Sequence, residues 1–526
     1  MSISKISPAD DDITEVEALP QPQHNPKIGF FVYLLSFLAV VGGFLFGYDT
    51  GIVSSAMMYL PHYKGMIPMN SLWKELIVSI TPGMAAVGAV LAGPASDRLG
   101  RKKVILASSF VFTVGGVVCA VAFEKICLLV GRILLGLAIG FASMVVPIYV
   151  GEASPAYIRG RLVTAFQLMI TFGLFASNAI AGGFSYIDPE NIGWRLMLAF
   201  ASLPSLLQLI GFLFMPESPR YLFGTGDVEN VTKTLERIYA GDEEWINYEL
   251  REIEISHNLE RKAKAQVGDQ LVIWRMLTTP HVRRALLIGC ALQMFQQLCG
   301  INTIMYYTAT IIKSAGVEDI HNTIWIAVGI SSINFLATFF PLALVERFGR
   351  RFLLLLSVAG VIIALILMGV AFLLINQDSM RSEVNFDVKE TELALRCRKY
   401  DNCDFCVTDE ACGFCKRADG TAKKGWCLPV DEDEPSHSTQ GVCGIGHDPK
   451  IYEYHSDYCV TKYTAMPIAV MVFYLTSFAV GNVLMNFFWF HFLTITRFTQ
   501  QITVLMNLHT FKLFGHPDLT YSLMVH

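Results

Sequence analysis

Ten stretches of this chain are apolar for long enough to cross a lipid bilayer, and that repetition decides its fold class. They lie at about 29–48, 76–96, 104–123, 126–150, 162–184, 196–215, 285–307, 324–345, 352–375 and 464–485. A hydrocarbon layer roughly 30 Å thick asks for about 20 apolar residues in a helix. In lipid each segment must satisfy its own backbone groups, so helices are the form expected. The chain is therefore predicted to be an all-α polytopic membrane protein. Only 16% of its 526 residues are charged, against about 25% in soluble domains. The net charge of -5 is small. No basic block of the nucleic-acid-binding kind is present.

Basic residues in short loops set the orientation. Asp97-Arg98-Leu99-Gly100-Arg101-Lys102-Lys103 follows span two, and Arg159 and Arg161 follow span four. Glu346-Arg347-Phe348-Gly349-Arg350-Arg351 follows span eight. All fall on one side, expected to be the cytoplasm, together with the N-terminus. Residues 1–28 form an acidic tail without a basic n-region or apolar core, so no cleavable signal peptide is expected. Residues 29–215 are read as a first six-helix bundle. Residues 216–284 interleave Glu, Arg and Lys with Leu, Ile and Tyr and read as amphipathic cytoplasmic helices. Spans seven to nine occupy 285–375, a cysteine-rich loop 376–462 and span ten 463–485, leaving 486–526 as an atypical tail. The plasma membrane is the expected location.

The order Asp/Glu, Arg, any residue, Gly, Arg occurs after span two and again six spans later. That recurrence predicts two parallel halves, a common transporter plan.

Asp49 stands among glycines where the first apolar run ends. A carboxylate at mid-membrane costs roughly 2.5–3.5 kcal/mol, and less near the interface. Asp49 therefore either marks the headgroup level or faces a partner. Arg132, near the start of span four, is the obvious counter-ion unless it snorkels to an interface. Glu152, at the end of that span, is grouped instead with Arg98, Arg159 and Arg161. Span seven carries Gln293, Gln296, Gln297 and Asn302, then Tyr306 and Tyr307. Gln293, Gln297 and, less closely, Asn302 share a helix face. Amides both donate and accept, as do the hydroxyls of a polyol. Gln167 in span five and Asn334 in span eight are expected to join them. The alternative is interhelical hydrogen bonding without a ligand. No nucleophile–base pair, phosphate loop or metal motif stands out, so neither an enzyme nor a bound cofactor is expected.

The loop after span nine holds Cys397, Cys403, Cys406, Cys412, Cys415, Cys427, Cys443 and Cys459. Nine spans from an inside N-terminus place it outside. An even cysteine count in an oxidising compartment reads as disulfides, with 105 connectivities open. The two Cys-x2-Cys pairs would also suit zinc in a reducing compartment. Their spacing resembles the plexin–semaphorin–integrin cysteine repeat, which implies a small stapled module, structural or open to an extracellular protein partner. Cys119, Cys127, Cys290 and Cys299, in or near spans, read as packing residues.

Several motifs in order complete the reading. Phe46-Gly47-Tyr48-Asp49-Thr50-Gly51, Asp97-Arg98-Leu99-Gly100-Arg101-Lys102, Gly131-Arg132, Pro216-Glu217-Ser218-Pro219-Arg220, Gln296-Gln297-x3-Ile301-Asn302 and Glu346-Arg347-x-Gly349-Arg350-Arg351 resemble the sugar-porter family of the major facilitator superfamily. The large loop after span nine is similar to that of the proton–myo-inositol cotransporters. The resemblance implies a twelve-helix fold with alternating access around a midplane site. It implies that Asp49 takes the coupling proton and that Arg132 stabilises its ionised form. It implies polyol contacts from Gln167, Gln296, Gln297, Asn302 and Asn334. It implies a cytoplasmic charge network of Asp97, Arg98, Arg101, Glu152, Arg161, Glu217, Arg220, Glu346, Arg347 and Arg350 that favours the outward-facing state. The match stops near Gly481, so the second half is expected to be truncated, with about 10 of 12 helices. The expected activity is proton-coupled symport of myo-inositol or a related polyol or hexose. The alternatives are a facilitative hexose uniporter and a truncated, transport-incompetent binding partner or sensor.

Overall fold

The first helix outruns its apolar stretch. It spans Phe30–Ala56 (α1), so Asp49 lies two turns inside it rather than at its end. Hydropathy falls at Tyr48-Asp49-Thr50, but the residues that follow, Gly51 to Ala56, are all buried against other helices. Packing extends the helix past the point where composition ends it. The computed structural model describes residues 21–481, except 25, 27–28, 68, 268–277, 318, 384–390, 410, 419–423, 432–436, 445–450 and 457. Most of the acidic N-terminal tail, and everything from residue 482 onward, lies outside the described residues.

The first bundle continues with α2 (Ser71–Leu99), α3 (Arg101–Val121), α4 (Lys125–Ala153) and α5 (Ala156–Phe184). Its sixth span is broken into a π-turn at Pro189–Gly193, α6 (Trp194–Ala199) and α7 (Ser202–Phe214). Helix α1 packs on α5, and α4 packs on α2 and α3. The sequence reason lies in Gly43, Gly47 and Gly51, spaced four apart on one face. A Cβ on Gly43 would lie 2.6 Å from the Phe166 carbonyl oxygen, and one on Gly47 would enter the Ile170 backbone. Small residues let the two backbones approach, which is how membrane helices gain packing without a hydrophobic driving force.

The linker forms α8 (Pro219–Gly224), α9 (Val228–Ile238) and α10 (Glu243–Val267). Its apolar residues Leu235, Ile238, Tyr239 and Ile246 share one core with Val32, Leu35 and Phe212 of the first bundle.

Span seven is not one helix. α11 (Pro280–Leu298) ends at Gly300, whose φ of 85° is left-handed. α12 (Ile301–Tyr306) and α13 (Thr308–Ser314) follow. Then come α14 (Ile320–Ala337), α15 (Phe339–Phe348) and α16 (Arg350–Asp378). Among the described residues nine helices are long and apolar enough to cross a membrane, and Ala465–Gly481 forms a shorter apolar tenth.

The cysteine-rich loop folds into a module. It has α17 (Glu392–Cys397), α18 (Cys403–Thr408) and strands β1 (Arg381–Ser382), β2 (Cys412–Arg417), β3 (Lys424–Pro429) and β4 (Tyr452–His455). The sheet order is β1-β3-β2-β4. Four disulfides join Cys397–Cys412, Cys403–Cys459, Cys406–Cys427 and Cys415–Cys443. The zinc alternative therefore gives way. The Cys403–Cys459 bridge ties the module's entry to its exit. Both stems also bond to the end of α16: Asn376 Nδ2 donates to Asp404 Oδ2 at 2.8 Å, and the Lys462 N–H donates to Asp378 Oδ2 at 3.1 Å.

The linker and the module thus mark opposite faces. Towards the module face the two halves meet. The Ala309 N–H donates to Ser54 Oγ at 3.0 Å, and Trp325 Nε1 donates to the Tyr186 hydroxyl at 3.1 Å. Deeper in, Phe335 stacks on Phe175 and tilts against Phe172.

Candidate functional site

Asp49 and Arg132 are 2% and 1% exposed. Arg132 Nη1 donates to Asp49 Oδ1 at 2.5 Å. Arg132 Nε donates to the Ile77 carbonyl at 3.3 Å, and Thr81 Oγ1 donates to the Arg132 carbonyl at 3.3 Å. Asp49 Oδ2 and Arg132 Nη2 have no hydrogen-bond partner among the described residues. The snorkelling alternative for Arg132 is not the arrangement seen. Two buried charges held by one contact are strongly coupled, because removing either leaves the other in a low dielectric. Neutralising Asp49 therefore alters the tie between α1 and α4.

Tyr306 carries that pair across to the second half. It is buried on α12, bonds to Thr50 and lies in the field of both Asp49 and Arg132. Sequence reasoning left Tyr306 without a role. Its position one turn past Asn302 was the available signal.

The five predicted polyol contacts divide into groups. Asn302 Nδ2 donates to Gln297 Oε1 at 2.6 Å across the break at Gly300, and both side chains are exposed. An amide pair exposed on a spanning helix is costly against lipid and is stable facing an aqueous opening. Broken helices at a midplane are a means by which transporters build such openings. Gln296 is buried on the same helix and Asn334 is buried on α14. Gln167 is half-buried on α5. Thr338 Oγ1 lies 3.4 Å from Thr171 Oγ1, joining α14 to α5. Gln167 sits one turn from that contact towards the linker face and Asn334 one turn towards the module face. They are therefore separated by roughly 11 Å along the axis.

The predicted charge network gathers around the start of α3. Arg101 is buried, and its guanidinium meets Glu152 Oε2 at 3.0 Å and Asp97 Oδ1 at 3.4 Å. Glu217 accepts from the backbone N–H groups of Arg101 and Lys102, each at 2.9 Å, and of Ser218 at 2.9 Å. A carboxylate at a helix N-terminus also meets the positive end of the helix dipole. Gly100, at φ 93°, makes room for it, since a Cβ there would strike Glu217 and Tyr221. Ser218 Oγ donates to Glu152 Oε2 at 2.5 Å. Arg98 contributes its carbonyl, which accepts from the Tyr221 hydroxyl at 3.0 Å. Arg161 is exposed, whereas Arg159 reaches Glu249 on α10 at 3.9 Å. Arg220 lies in the electrostatic field of Arg159 and Glu252. Arg347 is exposed near the end of α15. The side chains of Glu346 and Arg350 lie outside the described ones.

A buried amide missed by sequence reasoning is Gln208 on α7. Its Nε2 donates to the Leu38 and Ala39 carbonyls at 3.1 and 3.2 Å, and its Oε1 accepts from Ser109 at 3.1 Å. The signal was an amide inside an apolar run.

Comparison with known proteins agrees with this arrangement. Residues 35–385 match the family model described as sugar (and other) transporter. A proton myo-inositol cotransporter of Caenorhabditis elegans is 50% identical over 481 residues, covering 88% of this chain and 78% of the relative. The proton myo-inositol cotransporter of Homo sapiens is 41% identical over 458 residues, covering 86% of this chain and 68% of the relative. In structure the chain is similar to a xylose transporter of E. coli in a partially occluded inward-open conformation. The TM-score is 0.58 at 19% identity, covering 92% of this chain and 100% of that one. With its buried Asp49–Arg132 pair and its broken seventh span, the chain belongs to the sugar (and other) transporter family, with the major facilitator fold.

Proposed function

We propose that this chain is a secondary active transporter that moves myo-inositol, or a related polyol, together with protons. The observation that carries the proposal is the buried Asp49–Arg132 pair with Tyr306 of the opposite half beside it. Protonating Asp49 removes a charge from the pair and shifts the balance between conformations in which α1 and α12 pack differently. The amides of α11, α12 and α14 supply donors and acceptors for hydroxyls. Two relatives at 50% and 41% identity are named proton myo-inositol cotransporters, which supports both the substrate and the ion. The linker face and N-terminus are cytoplasmic in this reading. The disulfide-bonded module is extracellular, at the plasma membrane, because disulfides persist in an oxidising compartment.

Proteoliposomes carrying the purified chain, with an imposed pH gradient, test the reading. The expected result is labelled myo-inositol accumulation that follows the gradient, and its loss in Asp49→Asn while exchange at equal pH persists. Uptake indifferent to the gradient would make the chain a uniporter and Asp49 structural.

A further inference from the structure

The module face holds a histidine at the seam between the two halves. His321 begins α14 and meets the end of α5 in the other half. Its Nδ1 lies 3.1 Å from Ser185 Oγ, and its ring stacks on Tyr186 with centroids 5.1 Å apart and planes 8° apart. Trp325, one turn on, donates to the Tyr186 hydroxyl and lies across Gly182, where a Cβ would be 3.3 Å from its ring. The face is fixed by the neighbouring turn: Gly316, between α13 and α14, abuts Cys459 and Thr461 of the module's exit. Tyr186 is 66% exposed, so the stack is open to water on that face.

Ser185 orients the imidazole. Ser185 Oγ donates its proton to the Gly182 carbonyl at 2.7 Å, which leaves it an acceptor towards His321. Nδ1 of the charged ring therefore donates to Ser185 Oγ. Charging the ring keeps this bond and adds attraction to the Tyr186 face. Acidic groups stand at the same corner. Asp319 on the same helix end accepts from the His321 N–H at 3.1 Å. Asp319 and Glu190 both act on Tyr59, at the end of α1, which places their negative charge at this corner. Lys313 stands in the last turn of α13.

We infer that His321 is a gating residue: its protonation tightens the junction between the two halves at the module face, independently of Asp49. The inference rests on the transporter reading for its sidedness. An acidic medium on that face would then both load Asp49 and favour closure behind the substrate. Histidine is the side chain whose ordinary titration falls between pH 5 and 8. A cation over an exposed aromatic ring raises the closed-to-open ratio by about two- to fivefold.

The test measures the junction directly, without flux. Spin-labelled amino acids placed at Ile192 and Asn322 of the full chain in nanodiscs report the distance between the halves from pH 8 to 5.5. All variants carry Asp49→Asn, so that Asp49 does not titrate. The expected result is a closed-to-open ratio that rises two- to fivefold on acidification. His321→Gln keeps a donor for Ser185 but cannot charge, and it flattens the response at the pH 8 level. His321→Arg holds it flat at the acid level. An unchanged pH response in His321→Gln, or a junction that opens on acidification, overturns the inference. Should His321→Gln fail to fold, Tyr186→Leu gives the same reading, since it removes the ring that the cation faces. Transport failing in proteoliposomes while the junction still titrates would instead count against the transporter reading alone.

Discussion

Two Arg–Asp pairs in this chain do opposite things. In the module, Arg396 grips Asp409 with two bonds, Nε to Oδ2 at 2.7 Å and Nη2 to Oδ1 at 3.0 Å. The Tyr400 hydroxyl adds 2.8 Å to Oδ2, and the Ala411 N–H adds 3.2 Å to Oδ1. Both oxygens are satisfied, and the arginine is 61% exposed. In the bundle, Asp49 has, among the described residues, one bond from Arg132 and an unbonded second oxygen, and both residues are buried. The module's carboxylate is held by a full set of donors, so its ionised form is secure. The bundle's carboxylate depends on one partner in a medium that penalises charge, so its proton and its partner are linked. The first arrangement fixes a fold, and the second suits a switch.

Breaking the buried pair on one side should have the largest effect. Arg132→Leu leaves Asp49 charged and alone, at a cost of about 3–5 kcal/mol. The thermal midpoint of the purified protein should fall accordingly. Asp49→Asn/Arg132→Leu should recover part of the loss, because no lone charge remains. No recovery would mean that the pair matters through packing. In the module, Asp409→Asn removes a carboxylate that accepts charge-assisted bonds and should cost about 1.5–3 kcal/mol. Arg396→Leu should cost less, since Tyr400 and Ala411 still hold Asp409. Hydrogen exchange across α17 and β2 measures both.

The linker face sits between these cases. Glu217→Gln keeps one acceptor for the α3 N–H groups but loses the charge facing the helix dipole, and about 1 kcal/mol is expected. Exchange at the start of α3 should rise while the module is unaffected. The smallest effect is that of pH on the module. Burial works to raise the Asp409 pKa, but the bonds from Tyr400, Ala411 and Arg396 outweigh it and hold the carboxyl below the usual range. A depressed folded pKa adds stability above the ordinary aspartate value, about 3.9, and that stability is lost only as pH falls through the depressed one. The module's exchange protection should therefore stay flat from pH 8 to 5. A change in that window would mean that another group governs it.

Much of this comparison was legible in sequence. The partnership of Asp49 and Arg132 followed from the cost of charge in lipid, which leaves few places for either. The linker-face charges were visible as a recurring pattern that grouped both Arg159 and Arg161 with Glu152, and the structure shows Arg159 reaching Glu249 while Arg161 is exposed. Those two differ only in which side of the first turn of α5 faces the linker, and spacing alone does not fix that rotation. The amides of span seven were found by type. Their division into a bonded exposed pair and a buried Gln296 depends on the break at Gly300, which a hydropathy window does not register.

The sequence by itself determined that this chain crosses a membrane many times as helices, that a charged loop motif recurs six spans apart and that eight of its twelve cysteines lie in one loop. These properties follow from composition and local spacing, because lipid imposes the same demand on every segment. Only the tertiary structure decided where α1 ends, which cysteines pair, and that Tyr306 and His321 stand at the seam between the halves. Each of those depends on what lies opposite a residue in space, and close packing between distant segments selects one partner among many that local sequence allows.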